Sequence, residues 1–294
     1  MNRFLFLTTV LLVGFQLPLH CQSNPFWKTF NLDKKVSLRG IAVISEKECW
    51  VSGTKGTVAK TMNGGQTWTY LQVPDADSLD FRDIEVFNSN EVLLLSIGEG
   101  KKSKIYKSND GGKSWKVVFQ NTKSEGFFDA FSFWNENEGI MQGDPINSRL
   151  YLLKTGDRGE SWQEIPENQC PKVDEGEYAF AANGSQITSL ERTIWIHTGG
   201  NKSRVIKSPT KKLDWSSIET NMIQGKSSQG IFSIDFLNEQ IGMAVGGDYS
   251  KENEGSDNII ITEDGGTSWS LISPSLDFRS CNEQPRGRAP RYRC

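Results

Sequence analysis

Histidine is nearly missing from this sequence: of 294 residues only His20 and His197 carry an imidazole. A Ser-His-Asp mechanism would hang on His197, which sits in the strand-like run Thr193-Ile194-Trp195-Ile196-His197, where a structural role is the expectation. Cysteine is sparse too. None of Cys21, Cys49, Cys170, Cys281 and Cys294 stands in a C-x-x-C spacing, so no Cys or His cluster offers itself to a metal or a haem. No Gly-x-Gly-x-x-Gly links a strand to a helix, which removes the usual dinucleotide cradle, and no cofactor is expected. An excess of positive charge is also lacking. The 33 Lys and Arg are outnumbered by 36 Asp and Glu, and such a surface does not recruit nucleic acid.

Long apolar runs are absent except at the start. Phe4 to Phe15 follow the positive Arg3 and give way to a short polar exit, Gln16 to Cys21. Residues 1–21 therefore read as a secretory signal peptide, and the chain as secreted or periplasmic after cleavage near Cys21. The run is shorter than the roughly 20 residues a bilayer span requires, and no later segment approaches that length. A lipid anchor on Cys21 is the alternative, against which Leu19 and His20 are bulky where lipoprotein signals carry small residues. Cys49, Cys170, Cys281 and Cys294 allow three pairings. Unpaired or buried thiols are the expectation in a chain of this length.

A repeat organises what is present. Thr61-Met62-Asn63-Gly64-Gly65-Gln66-Thr67-Trp68 returns as Ser108-Asn109-Asp110-Gly111-Gly112-Lys113-Ser114-Trp115, as Thr155-Gly156-Asp157-Arg158-Gly159-Glu160-Ser161-Trp162, and as Thr262-Glu263-Asp264-Gly265-Gly266-Thr267-Ser268-Trp269. A worn copy at Ser208 to Trp215 keeps the first hydroxyl and the last indole. The tryptophans Trp68, Trp115, Trp162, Trp215 and Trp269 are spaced by 47, 47, 53 and 54 residues. The pattern S/T-x-D-x-G-x-S/T-W reads as a hairpin turn: Asp accepts from backbone N–H groups, Gly supplies a positive φ, and Trp enters the next strand and buries its ring. Asn63, Asp110, Asp157 and Asp264 with their tryptophans are thus structural staples rather than an active site.

Upstream of the boxes stand alternating strands such as Leu38-Arg39-Gly40-Ile41-Ala42-Val43, Phe81-Arg82-Asp83-Ile84-Glu85-Val86, Phe128-Asp129-Ala130-Phe131-Ser132-Phe133 and Phe232-Ser233-Ile234-Asp235-Phe236. Glycine-ended second strands and a third strand leading into the box follow, and the strand after each Trp makes four. No stretch shows a helical period. The fold class is therefore all-β, a β-propeller of four-stranded blades over residues 22–281, with five recognisable blades and the start of a sixth at Leu276-Asp277-Phe278-Arg279-Ser280-Cys281. Six or seven blades would complete the ring. Residues 282–294, with four Arg and no Lys, break the compositional pattern and are expected to be a disordered basic tail or the product of a truncation or frameshift.

The four good boxes, the Arg82-Asp83-Ile84 type of first strand and the Gly246-Gly247-Asp248 stretch resemble the BNR or Asp-box repeat propellers. Within them they resemble the group related to the photosystem II stability and assembly factor, whose bacterial members are often labelled oxidoreductases or glycosyl hydrolases. The resemblance implies a WD40- or YVTN-like ring and a binding or assembly role.

With the first strands aligned, the residue entering each is Arg39, Arg82, Asp129, Ala179, Ser233 and Arg279 in turn, the first five at 29, 33, 33, 36 and 36 residues before the box Trp. A first strand lines the central channel, so this position predicts a ring near one mouth, whose guanidinium forks suit a carboxylate or phosphate. Interblade salt bridging, such as Asp129 with Arg82, is the structural alternative. Asp144, Asn147 and Arg149, Glu175 and Glu177, and Asp248 with Tyr249 extend the candidates near the same face, although turn chemistry explains several of them. The expected ligand is a protein partner or an anionic small molecule or glycan. Glycoside hydrolysis is the rival reading, with Glu177, Tyr178 and Asp248 as candidate catalytic groups. Against it, Phe81-Arg82-Asp83-Ile84 lacks the proline of a sialidase Phe/Tyr-Arg-Ile-Pro motif, and no complete arginine triad can be assigned.

Overall fold

The computed structural model describes residues 29–281 apart from 182, 183, 211, 274 and 275. The signal-peptide reading of residues 1–21 and the tail reading of 282–294 lie outside the described residues. The chain divides at Asn31, and the body that begins at Leu32 carries the fold. Its first three sheets follow chain order. They comprise β1 (Leu38–Val43), β2 (Cys49–Gly53), β3 (Thr57–Thr61) and β4 (Thr69–Tyr70); β5 (Asp80–Val86), β6 (Val92–Ile97), β7 (Lys104–Ser108) and β8 (Lys116–Gln120); and β9 (Phe128–Phe133), β10 (Gly139–Ile146), β11 (Arg149–Thr155) and β12 (Gln163–Glu164). The fourth is β14 (Ile187–Leu190), β15 (Thr193–His197), β17 (Arg204–Pro209) and β18 (Ser216–Glu219). The fifth is β19 (Gln229–Phe236), β20 (Gly242–Asp248), β21 (Ile259–Thr262) and β22 (Ser270–Leu271), extended beyond β19 by β16 (Gly199–Gly200) and β13 (Glu177–Tyr178). All pairings are antiparallel, and inner strands pack in succession, β1 on β5, β5 on β9, β9 on β14 and β14 on β19. This is a β-propeller with five described blades. The run expected to open a sixth lies on the fifth: Asn258 Nδ2 donates to the carbonyls of Leu276 and Asp277, and Phe278 meets Phe232 edge-on at 4.8 Å.

Blades are buried on both faces, so their middle strands read as continuous apolar runs rather than alternating ones. In β6, Val92 and Leu94 enter the layer shared with the first blade, while Leu93 and Leu95 enter the layer shared with the third. In β15, Ile194 and Ile196 face the third blade and Trp195 the fifth. The box tryptophans belong to these layers. Trp115, Trp162, Trp215 and Trp269 each pack between their own blade and the one before it.

The box turns form as the sequence predicts. In each good copy the first hydroxyl donates to the Asx side chain and accepts the N–H of the second glycine: Thr61 with Asn63 and Gly65, Ser108 with Asp110 and Gly112, Thr155 with Asp157 and Gly159, Thr262 with Asp264 and Gly266. The Asx oxygen accepts the N–H four residues on, from Thr67, Ser114, Ser161 and Ser268, at 2.9 Å each time. Hydrogen bonds from the Ser114 side chain and backbone hold Asp110 down at about 2.

The second glycine serves the neighbouring blade as well. Its φ is positive, +74° at Gly159, and a Cβ there would stand 2.5 Å from Leu93 Cδ1. Gly159→Ala should therefore cost about 1–3 kcal/mol, whereas Gly156→Ala, which meets nothing within 4 Å, should stay within about 0.5 kcal/mol. Urea denaturation of the two variants checks this. Equal costs would remove the argument.

Candidate functional site

The inner strands share an irregularity. Pairing runs Leu38↔Gly53 then Gly40↔Ser52 in the first blade, Phe81↔Ser96 then Asp83↔Leu95 in the second, Phe128↔Gly143 then Ala130↔Gln142 in the third, and Ile231↔Gly246 then Ser233↔Val245 in the fifth. The residue left out of each ladder is a β-bulge, a device that re-aims a side chain. These residues are Arg39, Arg82, Asp129 and Phe232. The first three share one structural position, as the sequence alignment expected, but Ser233 does not: it pairs one place further along, and Phe232 holds the position. In the fourth blade the same count, four residues before the inner residue level with the box hydroxyl, gives Ser185 instead of Ala179. The alignment erred in the fourth blade because the strand Glu177–Tyr178 beside Ala179 joins the sheet of the fifth blade, while the inner strand of the fourth begins only at Ile187.

Around the bulges lies a group of buried polar atoms. Asp129 is fully buried, with both carboxylate oxygens unbonded, and Asp144 Oδ1, Arg39 Nε and both amide atoms of Gln142 are likewise buried without a partner. Burial, then the nearby Asp144 charge, push Asp129 well above the usual carboxylate range, with Arg82 opposing. Burial raises Asp144 to about 6 against the hydrogen bond it accepts from the Ala179 backbone. Arg82 is engaged, with Nε 2.8 Å from Asp80 Oδ2 and NH1 donating to the Ala181 carbonyl. Asp83 ties two blades together, accepting from its neighbour Ile84 N at 2.8 Å and from Phe131 N of the third blade at 2.9 Å. His197 is buried against the backbone of Ser185 and Phe232, and burial pushes it down to about 3.

A second polar row went unnoticed in the sequence. Glu85, Ser132, Thr188 and Asp235 occupy one register position in successive blades, all buried. Ser132 Oγ lies 2.7 Å from Ser189 Oγ, and Thr188 Oγ1 donates to Asp235 Oδ1 at 3.3 Å, each pair spanning two blades. The signal was the polar alternation in Asp83-Ile84-Glu85 and Ser233-Ile234-Asp235. Gln142 and Gln186 carried none, because Gln142 is a single amide within an apolar strand and Gln186 lies just before β14 begins.

The remaining candidates are dispersed. Arg149 donates to the Cys170 carbonyl, Asn147 sits in the turn after β10 at φ 53°, and Arg279 turns back on the carbonyls of Asp277 and Phe278. Tyr249 is exposed, its ring set edge-on to Phe180 and Phe232. Glu175 lends its backbone carbonyl to Asn201. Glu177 is buried in a two-point pair with Arg204, and its oxygens also accept from Thr198 Oγ1 at 2.6 Å and Asp174 N at 2.9 Å. Tyr178 donates to the Ser227 carbonyl. Asp248 accepts from Ser250 N and Oγ at 3.0 and 2.6 Å and from Gln229 Nε2 at 3.1 Å. Burial would raise Asp248, but those bonds bring it down to about 2. Cys49 and Cys170 are free thiols, and among the described residues no group of His, Cys, Asp or Glu is placed to hold a metal ion.

The model of the family described as Photosynthesis system II assembly factor YCF48 matches residues 19–123, which reach through the first two blades. The chain is a β-propeller, and its repeats resemble those of this assembly factor over that stretch. Among solved structures, YCF48 bound to D1 peptide is 15% identical over 86% of this chain and 87% of its own, with a TM-score of 0.42. YCF48 from Cyanidioschyzon merolae is 16% identical over 86% and 90%, with a TM-score of 0.41. Two GH74 enzymes share the propeller fold at a TM-score of 0.55. The Niastella koreensis enzyme is 15% identical and the ancestral enzyme 17%, and they align with 80% and 83% of this chain. This chain spans only 38% and 34% of their lengths. Comparison with curated proteins gives no match.

Two outcomes follow from the geometry. Asp144, at about 6 when folded, holds a proton that the unfolded chain, near pKa 4, has released. Stability should therefore fall as pH rises from about 4 to about 6 and level off above, by about 1–3 kcal/mol, and Asp144→Asn should flatten that slope. Denaturant midpoints across this pH range test it. Glu177→Gln should cost about 3 kcal/mol by stranding Arg204, and an unchanged midpoint would contradict the structural role.

Proposed function

We propose that this protein is an exported, noncatalytic scaffold of the assembly-factor kind, holding a segment of a partner polypeptide at the entrance to the inner strands. Arg39 supplies the cationic side of that contact, and Arg82 supports it. The observation that carries this reading is Arg39 itself: it stands on a bulge, half-buried, with a buried Nε that bonds to nothing. A guanidinium so placed is completed by a carboxylate, bound through two parallel N–H groups. Asp129 and Asp144, on the Arg82 side and raised toward the protonated form, reduce the repulsion an incoming carboxylate would meet there. The family match supplies the class of role, and the signal-like residues 1–21 supply the export.

A hydrolase reading keeps one observation in its favour, the Asp129 and Asp144 pair in a fold shared with GH74 enzymes. The carboxylate first considered for that chemistry, Glu177, is spent on Arg204. One experiment separates the two readings. Panning a peptide library on the immobilised protein should enrich acidic peptides whose affinity falls at least about tenfold in Arg39→Gln. Absence of enrichment, or turnover of xyloglucan, β-glucosides or sialosides that disappears in Asp129→Asn, would overturn the proposal.

A further inference from the structure

Three of the four described blade junctions are latched in the same way. A lysine at the end of the third strand reaches across to the carbonyl of the fourth box residue in the next blade: Lys60 to Gly111 at 2.8 Å, Lys107 to Arg158 at 2.7 Å and Lys207 to Gly265 at 3.2 Å. Beneath each latch the following glycine lies on apolar side chains of the preceding blade, Gly112 on Leu71 and Trp50, Gly159 on Leu93 and Gly266 on Trp195. The second junction adds a charge pair, Arg158 NH1 to Glu91 Oε2 at 2.8 Å.

The junction between the third and fourth blades has the same receiving side without the latch. Lys154, Ile140 and Glu138 stand where Lys107, Leu93 and Glu91 stand one blade earlier. But the fourth box reads Ser208-Pro209-Thr210-Lys211-Lys212-Leu213-Asp214-Trp215, with no glycine. Lys212 holds the sequence position of the missing glycine and is exposed, while Ile140 is already buried in the layer against which Leu213 and Trp215 pack. The result is a cleft of about 500 Å³ lined by Trp134, Glu138, Ile140, Lys154, Thr210 and Leu213, against about 260 Å³ at the latched junction of the fourth and fifth blades. Lys154 is exposed and, among the described residues, has neither a hydrogen bond nor an ion pair.

We infer that this cleft receives a turn of a partner polypeptide in which a basic residue, Arg above all, precedes a glycine. The carbonyl of the basic residue accepts from Lys154 and its side chain pairs with Glu138, while the glycine supplies the positive φ that the turn requires. The protein already makes both polar contacts with itself at the second junction, where the Arg158 carbonyl meets Lys107 and its guanidinium meets Glu91, with Gly159 following at a positive φ. A phosphate or free carboxylate suits the cleft less well, because Glu138 and Asp157 both line it. The inference stands apart from the contact at Arg39, which is not among the cleft residues.

The probe is the blocked octapeptide Thr-Gly-Asp-Arg-Gly-Glu-Ser-Trp, the sequence of residues 155–162, titrated into the full chain and followed by amide and indole NMR shifts. Saturable shifts are expected at the Trp134 indole and around Lys154. Affinity should fall at least about fivefold in Lys154→Met, in Glu138→Gln, and when the peptide's Arg becomes Ala. Rebuilding the box with Thr210→Asp, Lys211→Gly and Lys212→Gly should close the cleft, abolish binding and raise the Tm. Absence of saturable shifts at millimolar peptide, binding undiminished in Lys154→Met, or binding that survives in a folded rebuilt-box variant would each overturn the inference. Acidic-peptide binding at Arg39 is scored separately, so the two readings fail independently.

Discussion

A hydroxyl, a carboxylate and a glycine, brought together in one tight turn, fasten this molecule. The first box hydroxyl bonds the Asx side chain and the N–H of the second glycine, and the Asx oxygen collects the N–H four residues on. That arrangement fixes the direction in which the fourth box carbonyl points, and the carbonyl receives a lysine from the preceding blade. The glycine beside it is bare enough to lie on an aromatic or aliphatic side chain of that same neighbour. One local motif therefore closes a hairpin and joins two blades. When the motif decays, as in the fourth blade, the hairpin survives because its strands are held by their own ladders, while the junction opens.

The inner strands answer to a different constraint. They must bury polar residues at the axis while keeping apolar ones between blades, and the bulge in β1, β5, β9 and β19 permits both by freeing one residue from the ladder. Arg39, Arg82 and Asp129 are what those bulges present. Some of the polar groups find partners in neighbouring blades, as Asp83 does with Phe131 N and Thr188 with Asp235. Others, Asp129 and Gln142 among them, are buried without any. Unmet buried polar groups oppose folding, and their concentration at one level of the ring is the physical reason to place binding there. Glu177, a candidate catalytic carboxylate in the rival hydrolase reading, is by contrast met by Thr198, Arg204 and the Asp174 backbone.

The spacing of the tryptophans and the composition of the boxes made the propeller legible before any coordinates, because the turn is local and its chemistry is written within eight residues. Arg39, Arg82 and Asp129 were legible as equivalents because each opens an apolar strand of the same pattern. Ala179 was misplaced because the strand beside it joins the fifth blade, and Ser233 because the bulge falls one residue earlier; the true equivalents, Ser185 and Phe232, have no chemical resemblance to an arginine. Register is a matter of hydrogen bonds between strands rather than of counting from a landmark.

By itself, then, the sequence determined the class of fold, the repeat and the turns, since each depends on residues a few places apart. Tertiary structure alone decided which carboxylates are used up by partners and which are buried unmet, and where a missing glycine leaves a lysine with nothing to hold. Those outcomes depend on the side chain that a neighbouring blade brings close. Between Lys107 and Arg158 or between Glu177 and Arg204 lie stretches of chain that only folding makes short.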